Sequence, residues 1–216
     1  MSQIQREVIP ITVLGASNSG KTSLIQQYTN QYYDPNTLST IGYEFKIKNI
    51  KIKINNEEKV VKLKIWDTSG QEIYFEQALI SLKNCLGALI IYDITDKKTF
   101  DNVDNWIDNI YNVKDKKKFP LILIGNKIDL KDERIISFDE GKNKASNYNI
   151  DFYESSAKEN IYVEESFQHL IDKIVDINIK DFTKGIDVQN FELKNHKDVK
   201  KKIVVEMRIK EKNNSF

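Results

Sequence analysis

The chain has 216 residues, 40% hydrophobic and 30% charged, which is the balance of one ordinary globular domain with room for an appendage and none for a second complete domain. Its formal net charge is +1, yet residues 178–216 carry ten Lys/Arg against six Asp/Glu, so the basic excess sits at one end and a uniformly basic nucleic-acid binder is excluded. No apolar run approaches the roughly 20 residues of a membrane span, MSQIQREVIP is not a secretory signal, and a single cysteine, Cys85, excludes an internal disulfide and a multi-cysteine zinc site.

An intracellular protein with Cys85 as a packed core thiol is therefore expected. Val8 to Leu14 is a short apolar run ending at Gly15 and predicts a buried strand; Lys21 to Tyr28 predicts the helix that follows. From Tyr43 to Ile54 apolar residues alternate with lysines. Tyr43, Phe45 and Ile47 share one phase and Ile50, Ile52 and Ile54 the other, so a bulge or twist is expected near Asn49. Val61, Leu63 and Ile65 predict a partner strand, with Asn55, Asn56, Glu57 and Glu58 as the turn of one antiparallel edge hairpin, a few residues longer than is common.

Gly87 to Asp93 and Leu121 to Asn126 are nearly continuous apolar runs that suit central strands buried on both faces, and each ends in a polar residue. Phe100, Val103, Trp106, Ile107 and Ile110 recur at helical spacing, as do Val163, Phe167, Leu170, Ile171 and Ile174, and both stripes read as core packing. His169 and His196 have no partners at metal or catalytic spacing. After about Ile179 the periodicity fails. The lysine triplet Lys200 to Lys202 and the apolar cluster Ile203 to Val205 lie in what reads as a solvated tail, with an added strand or partner-binding segment as the other reading. The whole pattern predicts an α/β fold, a mostly parallel central sheet with one antiparallel edge hairpin and helices on both faces, over residues 1–178, with a variable tail over 179–216.

The chemistry is concentrated at predicted strand ends. GASNSGKT at Gly15 to Thr22 fits the P-loop pattern and lies between a predicted strand and a predicted helix, the context that motif requires. Gly15 and Gly20 let the backbone curl so that amides through Ser17, Asn18, Ser19 and on to Ser23 surround phosphate oxygens. Lys21 reaches β- and γ-phosphates as a point charge, and the Thr22 hydroxyl is a Mg2+ ligand. In WDTSGQE, Trp66 to Glu72, Asp67 stands where a Walker B carboxylate would hold Mg2+ through water. Gly70 offers an amide beside the γ-phosphate, and Gln71 offers an amide side chain that orients the attacking water.

NKID places Asn126, Lys127 and Asp129 at the carboxyl edge of a strand, where Asp129 can accept from the two N–H groups of guanine; adenine would leave that carboxylate unpaired. ESSAK, Glu154 to Lys158, adds Ser156, Ala157 and Lys158, with the Ala157 amide directed at guanine O6. These segments, in this order after a P-loop, predict binding of GTP and Mg2+.

On these four motifs the chain resembles a small GTPase of the Ras superfamily and, within it, a Rab, through STIGYEFK, KLKIWDTSGQE and YDITDKKTFDNVDNW. The resemblance spans residues 15–158 in its motifs and about 177 in its elements. It implies that Thr40 in switch I ligates Mg2+ and touches the γ-phosphate, and that Tyr33 lies against the guanine ring. It also implies a switch in vesicle traffic, peripheral at endomembranes, with an exchange factor, a GTPase-activating protein and effectors at the switch loops. With no arginine between Tyr28 and Thr40, intrinsic turnover should be slow, and an arginine supplied in trans could accelerate it by roughly 10³ to 10⁵.

Two segments depart from that family. The chain ends in KEKNNSF without the prenylated cysteines, which leaves membrane association open: either there is no prenyl group or the chain continues. Switch II reads IYFEQALISLKN, more apolar than the family pattern. Two other readings stand beside the active switch: a GTP-binding interaction module with negligible hydrolysis, and a P-loop kinase or ATPase, which would bind ATP at least as well as GTP.

Overall fold

A computed structural model describes residues 8–38, 40, 42–70 and 82–178. The expectations for Gln71, for the apolar switch II segment, for His196 and for the tail over 179–216 lie outside the described residues. Among the described residues six strands form one sheet in the order β2-β3-β1-β4-β5-β6. These are β1 Val8–Leu14, β2 Tyr43–Ile54, β3 Glu57–Thr68, β4 Gly87–Asp93, β5 Leu121–Asn126 and β6 Asp151–Ser155. All neighbouring pairs are parallel except β2 with β3.

β1, β4 and β5 begin and end where the apolar runs predict, because a strand buried on both faces needs apolar side chains in both phases. Helices cover the two faces. On one, α1 (Lys21–Asn30) and α5 (Val163–Ile177) join a core of Ile9, Ile11, Leu24, Ile50, Ile52, Leu63, Phe167 and Ile171. On the other, α2 (Lys97–Asp101), α3 (Val103–Val113) and α4 (Phe138–Tyr148) cover Leu14, Ile90, Leu123, Trp106 and Ile110. Cys85 is buried in this second core, and burial pushes its thiol up to about 12, as a packed thiol requires.

Three local expectations are corrected. The hairpin has no bulge at Asn49: its register is unbroken from Tyr43 opposite Thr68 to Ile54 opposite Glu57. The phase change is instead a change of face. Ile50, Ile52 and Ile54 point into the core, while Tyr43, Phe45 and Ile47 are about half exposed, the two rings meeting Trp66 edge-on at 5.5 and 5.4 Å. The turn is two residues, not four: Asn55 and Asn56 both take left-handed φ, 50° and 67°, the geometry of a tight hairpin turn, so Glu57 and Glu58 already pair with β2. The stripe from Phe100 to Ile110 is two helices, α2 ending at Asp101 and α3 starting at Val103, with Asn102 between them.

His169 does have partners. Its Nδ1 lies 2.9 Å from the Tyr153 hydroxyl and its Nε2 3.7 Å from Asp151, tying α5 to β6. A second tie holds β2 to both helices of that face: Lys48 Nζ donates to the Tyr28 carbonyl (2.7 Å), pairs with Glu164 (3.2 Å) and stands 3.7 Å over the Tyr28 ring. The other side of that ring stacks on Phe167 at 4.0 Å.

Candidate nucleotide site

The carboxyl ends of the parallel strands all open on one edge, beside β1, from which the strand order runs both ways; that is where such sheets bind ligands. β1 leads into residues 15–20, β3 into residues 69 and 70, and β4, β5 and β6 end at Asp93, Asn126 and Ser155. Each chemical motif therefore arrives at the same edge although the motifs are far apart in sequence.

The phosphate loop is built for an anion. Gly20 caps α1 in a left-handed conformation, φ 88°, with no side-chain cap and no acidic residue in the first turn, so the first amides of the helix are left for a ligand. A Cβ on Gly20 would stand 2.3 Å from Asn126 Nδ2, which only glycine avoids. The Ser19 hydroxyl and the Lys21 ammonium both donate to the Ala16 carbonyl, at 2.9 and 2.8 Å. Burial lowers the Lys21 pKa to about 8, and the Asp67 charge opposes the shift only in part.

A set of hard oxygen donors stands beside that lysine. The Thr22 hydroxyl donates to Asp67 Oδ2 (2.8 Å) and lies 2.9 Å from the Thr40 hydroxyl. The other Asp67 oxygen is buried with no hydrogen-bond partner among the described residues. Burial raises the Asp67 pKa, against the Thr22 hydrogen bond and the Lys21 charge. Two hydroxyls and a buried carboxylate with an orphan oxygen fit a divalent oxygen-seeking cation such as Mg2+.

A cavity of about 410 Å³ gathers Ser17, Asn18, Gly20, Lys21, Thr22, Ser23, Tyr33, Thr40, Gly70 and Lys127 around this point. Tyr33 is partly buried, its ring packed against the core next to α1. Gly70 is pressed against the backbone of residues 16 and 17.

Asn126, Asp129, Ser156, Ala157 and Lys158 do not line that cavity; they form a second, adjoining cluster. Asn126 links the two. Its Nδ2 donates to the Ser19 carbonyl (3.0 Å), and its Oδ1 accepts from Ser155 Oγ and from the Ala157 amide, both at 3.3 Å. The Ala157 amide, expected to face a base, thus meets Asn126 through a long contact. The Ser156 hydroxyl donates to Asp129 Oδ1 (2.6 Å), Lys158 stands 3.8 Å from Oδ2, and the Asp129 side chain is 8% exposed. That carboxylate is fixed on one side and keeps acceptor capacity on the other.

Asp93 and Thr68 were missed by the sequence reading. Thr68 donates to the Val13 carbonyl (2.8 Å) and joins β3 to β1 below the phosphate loop, and Asp93 pairs with Lys127 at 2.6 Å. A polar residue closing an otherwise apolar strand was the signal available for Asp93.

Residues 10–176 match the model of the Ras family. The chain is 38% identical over 160 residues to the GTP-binding protein ypt2 of Schizosaccharomyces pombe, covering 74% of this chain and 78% of that protein. It is 37% identical over 166 residues to the Ras-related protein Rab-3B of Rattus norvegicus, 77% of this chain and 74% of that protein. To the Ras-related protein Rab-3A of Homo sapiens it is 36% identical over 164 residues, 76% of this chain and 72% of that protein.

Proposed function

This chain belongs to the Ras family and is a Rab-type small GTPase, and from that premise we propose how its own residues run a cycle of GTP binding, hydrolysis to GDP and partner release in vesicle traffic. The amides of residues 15–23 and the Lys21 ammonium hold the phosphates. Thr22 and Thr40 would hold Mg2+ through their hydroxyls, and the Asp67 carboxylate would hold it through water. The ion, when bound, would supply positive charge against the phosphates. Gly70 donates its amide to the γ-phosphate, and Gln71 positions the attacking water; catalysis is placement and charge stabilisation without a covalent nucleophile.

Asp129 accepts from the two guanine N–H groups, Ala157 exchanges its long 3.3 Å contact with Asn126 for guanine O6, and Tyr33 and Lys127, which line the cavity, flank the base. The switch is the tether of Thr40. While the γ-phosphate is present, Thr40 and Gly70 are held to one point; after hydrolysis that point is lost and the two loops are released. Effectors meet the loops and the neighbouring exposed aromatics Tyr43 and Phe45, which rest on Trp66. Among the described residues no helix is long and apolar enough to cross a membrane. A Rab-type switch works inside the cell, and we place this one peripherally at endomembranes.

The observation that carries this reading is the meeting of Thr22, Thr40 and Asp67, from α1, the switch I loop and β3, within hydrogen-bond distance beside the phosphate loop. Single-turnover hydrolysis of bound GTP by the native chain and by Gln71→Leu tests it. Hydrolysis abolished in the variant, with GTP still bound, is the expected result. Equal rates in the two proteins would instead favour a binding module that does not hydrolyse.

A further inference from the structure

We infer that Asp93, which does not itself line the nucleotide cavity, is the positioning residue for Lys127 and so sets how long the site keeps a guanine nucleotide; the inference rests on the reading of the cavity given above. Asp93 is the last residue of β4 and stands in register with Asn126 of β5. Its side chain is 7% exposed, and both oxygens are engaged. Oδ1 accepts from the Thr95 amide and the Thr95 hydroxyl, each at 2.8 Å, and Oδ2 takes the Lys127 ammonium at 2.6 Å. The Asp93 amide donates to Thr99 Oγ1 at 2.9 Å, so backbone and carboxylate are both fixed before Lys127 arrives.

Lys127 is held in an unusual way. It follows β5 at once and has a left-handed φ of 72°, a conformation that a long side chain rarely takes unless its surroundings impose it. Its stem passes Gly20: Cε lies 3.9 Å from the place where a Cβ on that glycine would be. The outer end of the stem therefore lies against Gly20 as part of the cavity wall, and its ammonium reaches Asp93. A lysine stem has four rotatable bonds and no fixed direction of its own. With Asp93 it is pinned at both ends; without Asp93 the wall is free to swing off Gly20.

Asp93→Asn keeps an acceptor for Thr95 and removes the charge that holds Lys127. The full chain is loaded with GDP carrying a fluorescent group on the ribose, and its release is followed after adding excess unlabelled GDP. We expect Asp93→Asn to release the label about tenfold faster, while single-turnover hydrolysis of bound GTP stays within about twofold of the native rate. Lys127→Met should show a similar acceleration, and the double variant should be no faster than Lys127→Met alone, since both remove one contact. Multiplying effects in the double variant would mean that Asp93 acts on the fold and not through Lys127, and would overturn the inference. So would a folded Asp93→Asn that releases at the native rate. If Asp93→Asn does not fold, Thr95→Val decides: it loosens only one hold on Oδ1, and release should quicken by about two- to threefold, an unchanged rate counting against the proposal. A native chain that retains no labelled GDP would overturn the site reading itself, a result distinct from all of these.

Discussion

Gly70→Ala adds one methyl group at the point where the loop after β3 touches the phosphate loop. That methyl carbon would stand 2.3 Å from both the carbonyl carbon of Ala16 and the amide nitrogen of Ser17, and 2.6 Å from the Ala16 oxygen. Comfortable contact between such atoms is about 3.5 Å or more, so the two loops must part by roughly 1 Å. The Ala16 side is the stiffer one: its carbonyl accepts from Ser19 Oγ, Lys21 Nζ and the Ser19 amide. Gly70 is the side that gives way, and its amide moves off the place proposed for the γ-phosphate. A misplacement of about 1 Å costs on the order of 10²-fold in rate, or about 2.7 kcal/mol of barrier. Single-turnover hydrolysis should accordingly fall about a hundredfold, while GDP, which has no γ-phosphate, binds within about threefold of its native affinity. The assay is rapid-quench hydrolysis of preloaded GTP beside a GDP titration. A Gly70→Ala protein that turns over at the native rate would refute the argument that this contact aims the amide.

Two further expectations follow from the same cavity. Burial holds the Lys21 ammonium at about 8 in the nucleotide-free protein, and bound phosphates favour the charged form, so binding raises this pKa. The affinity it contributes is then fully present below about pH 8 and falls by up to about tenfold per pH unit above it, until the pKa of the complex is reached; a GDP titration that stays flat from about pH 7 to pH 9.5 would contradict this. On the proposed base contacts, Asp129→Ala removes a carboxylate that would accept two hydrogen bonds from guanine, a loss of about 3 to 6 kcal/mol. GDP should bind at least a hundredfold more weakly, and competition by ADP should rise relative to GDP; preserved preference for GDP would move the base-reading role elsewhere.

The parts of the fold that were legible in the sequence share a physical feature: the local pattern and the burial agree. β4 and β5 are apolar in every phase because helices cover both of their faces, so their bounds could be read directly. In β2 the rule misleads. Tyr43, Phe45 and Ile47 are apolar on the solvent side, and the reading that apolar means inward reconciles them with Ile50, Ile52 and Ile54 by a bulge or a twist, of which the unbroken register excludes the bulge. The two-residue turn was legible in principle, since Asn55 and Asn56 are the residue type that tolerates left-handed φ. Counting the glutamates as turn residues for their polarity hid it.

The site divides in the same manner. Phosphate binding depends on a continuous stretch of backbone, so GASNSGKT announces it. The supporting contacts join residues that the topology alone brings together: Thr22 with Asp67, Ser19 with Asn126, Asp93 with Lys127. None has a spacing rule, because the length of chain between the partners is set by the strands, helices and loops that intervene and not by the contact. The first of these makes the metal donors and the second ties the phosphate loop to the base-reading loops. The third runs outside the cavity and fixes a wall of it. Asp93 stands at the carboxyl end of its strand, one side chain removed from the cavity. If it acts through Lys127 alone, binding lifetime and hydrolysis respond separately to substitution of this outer pair.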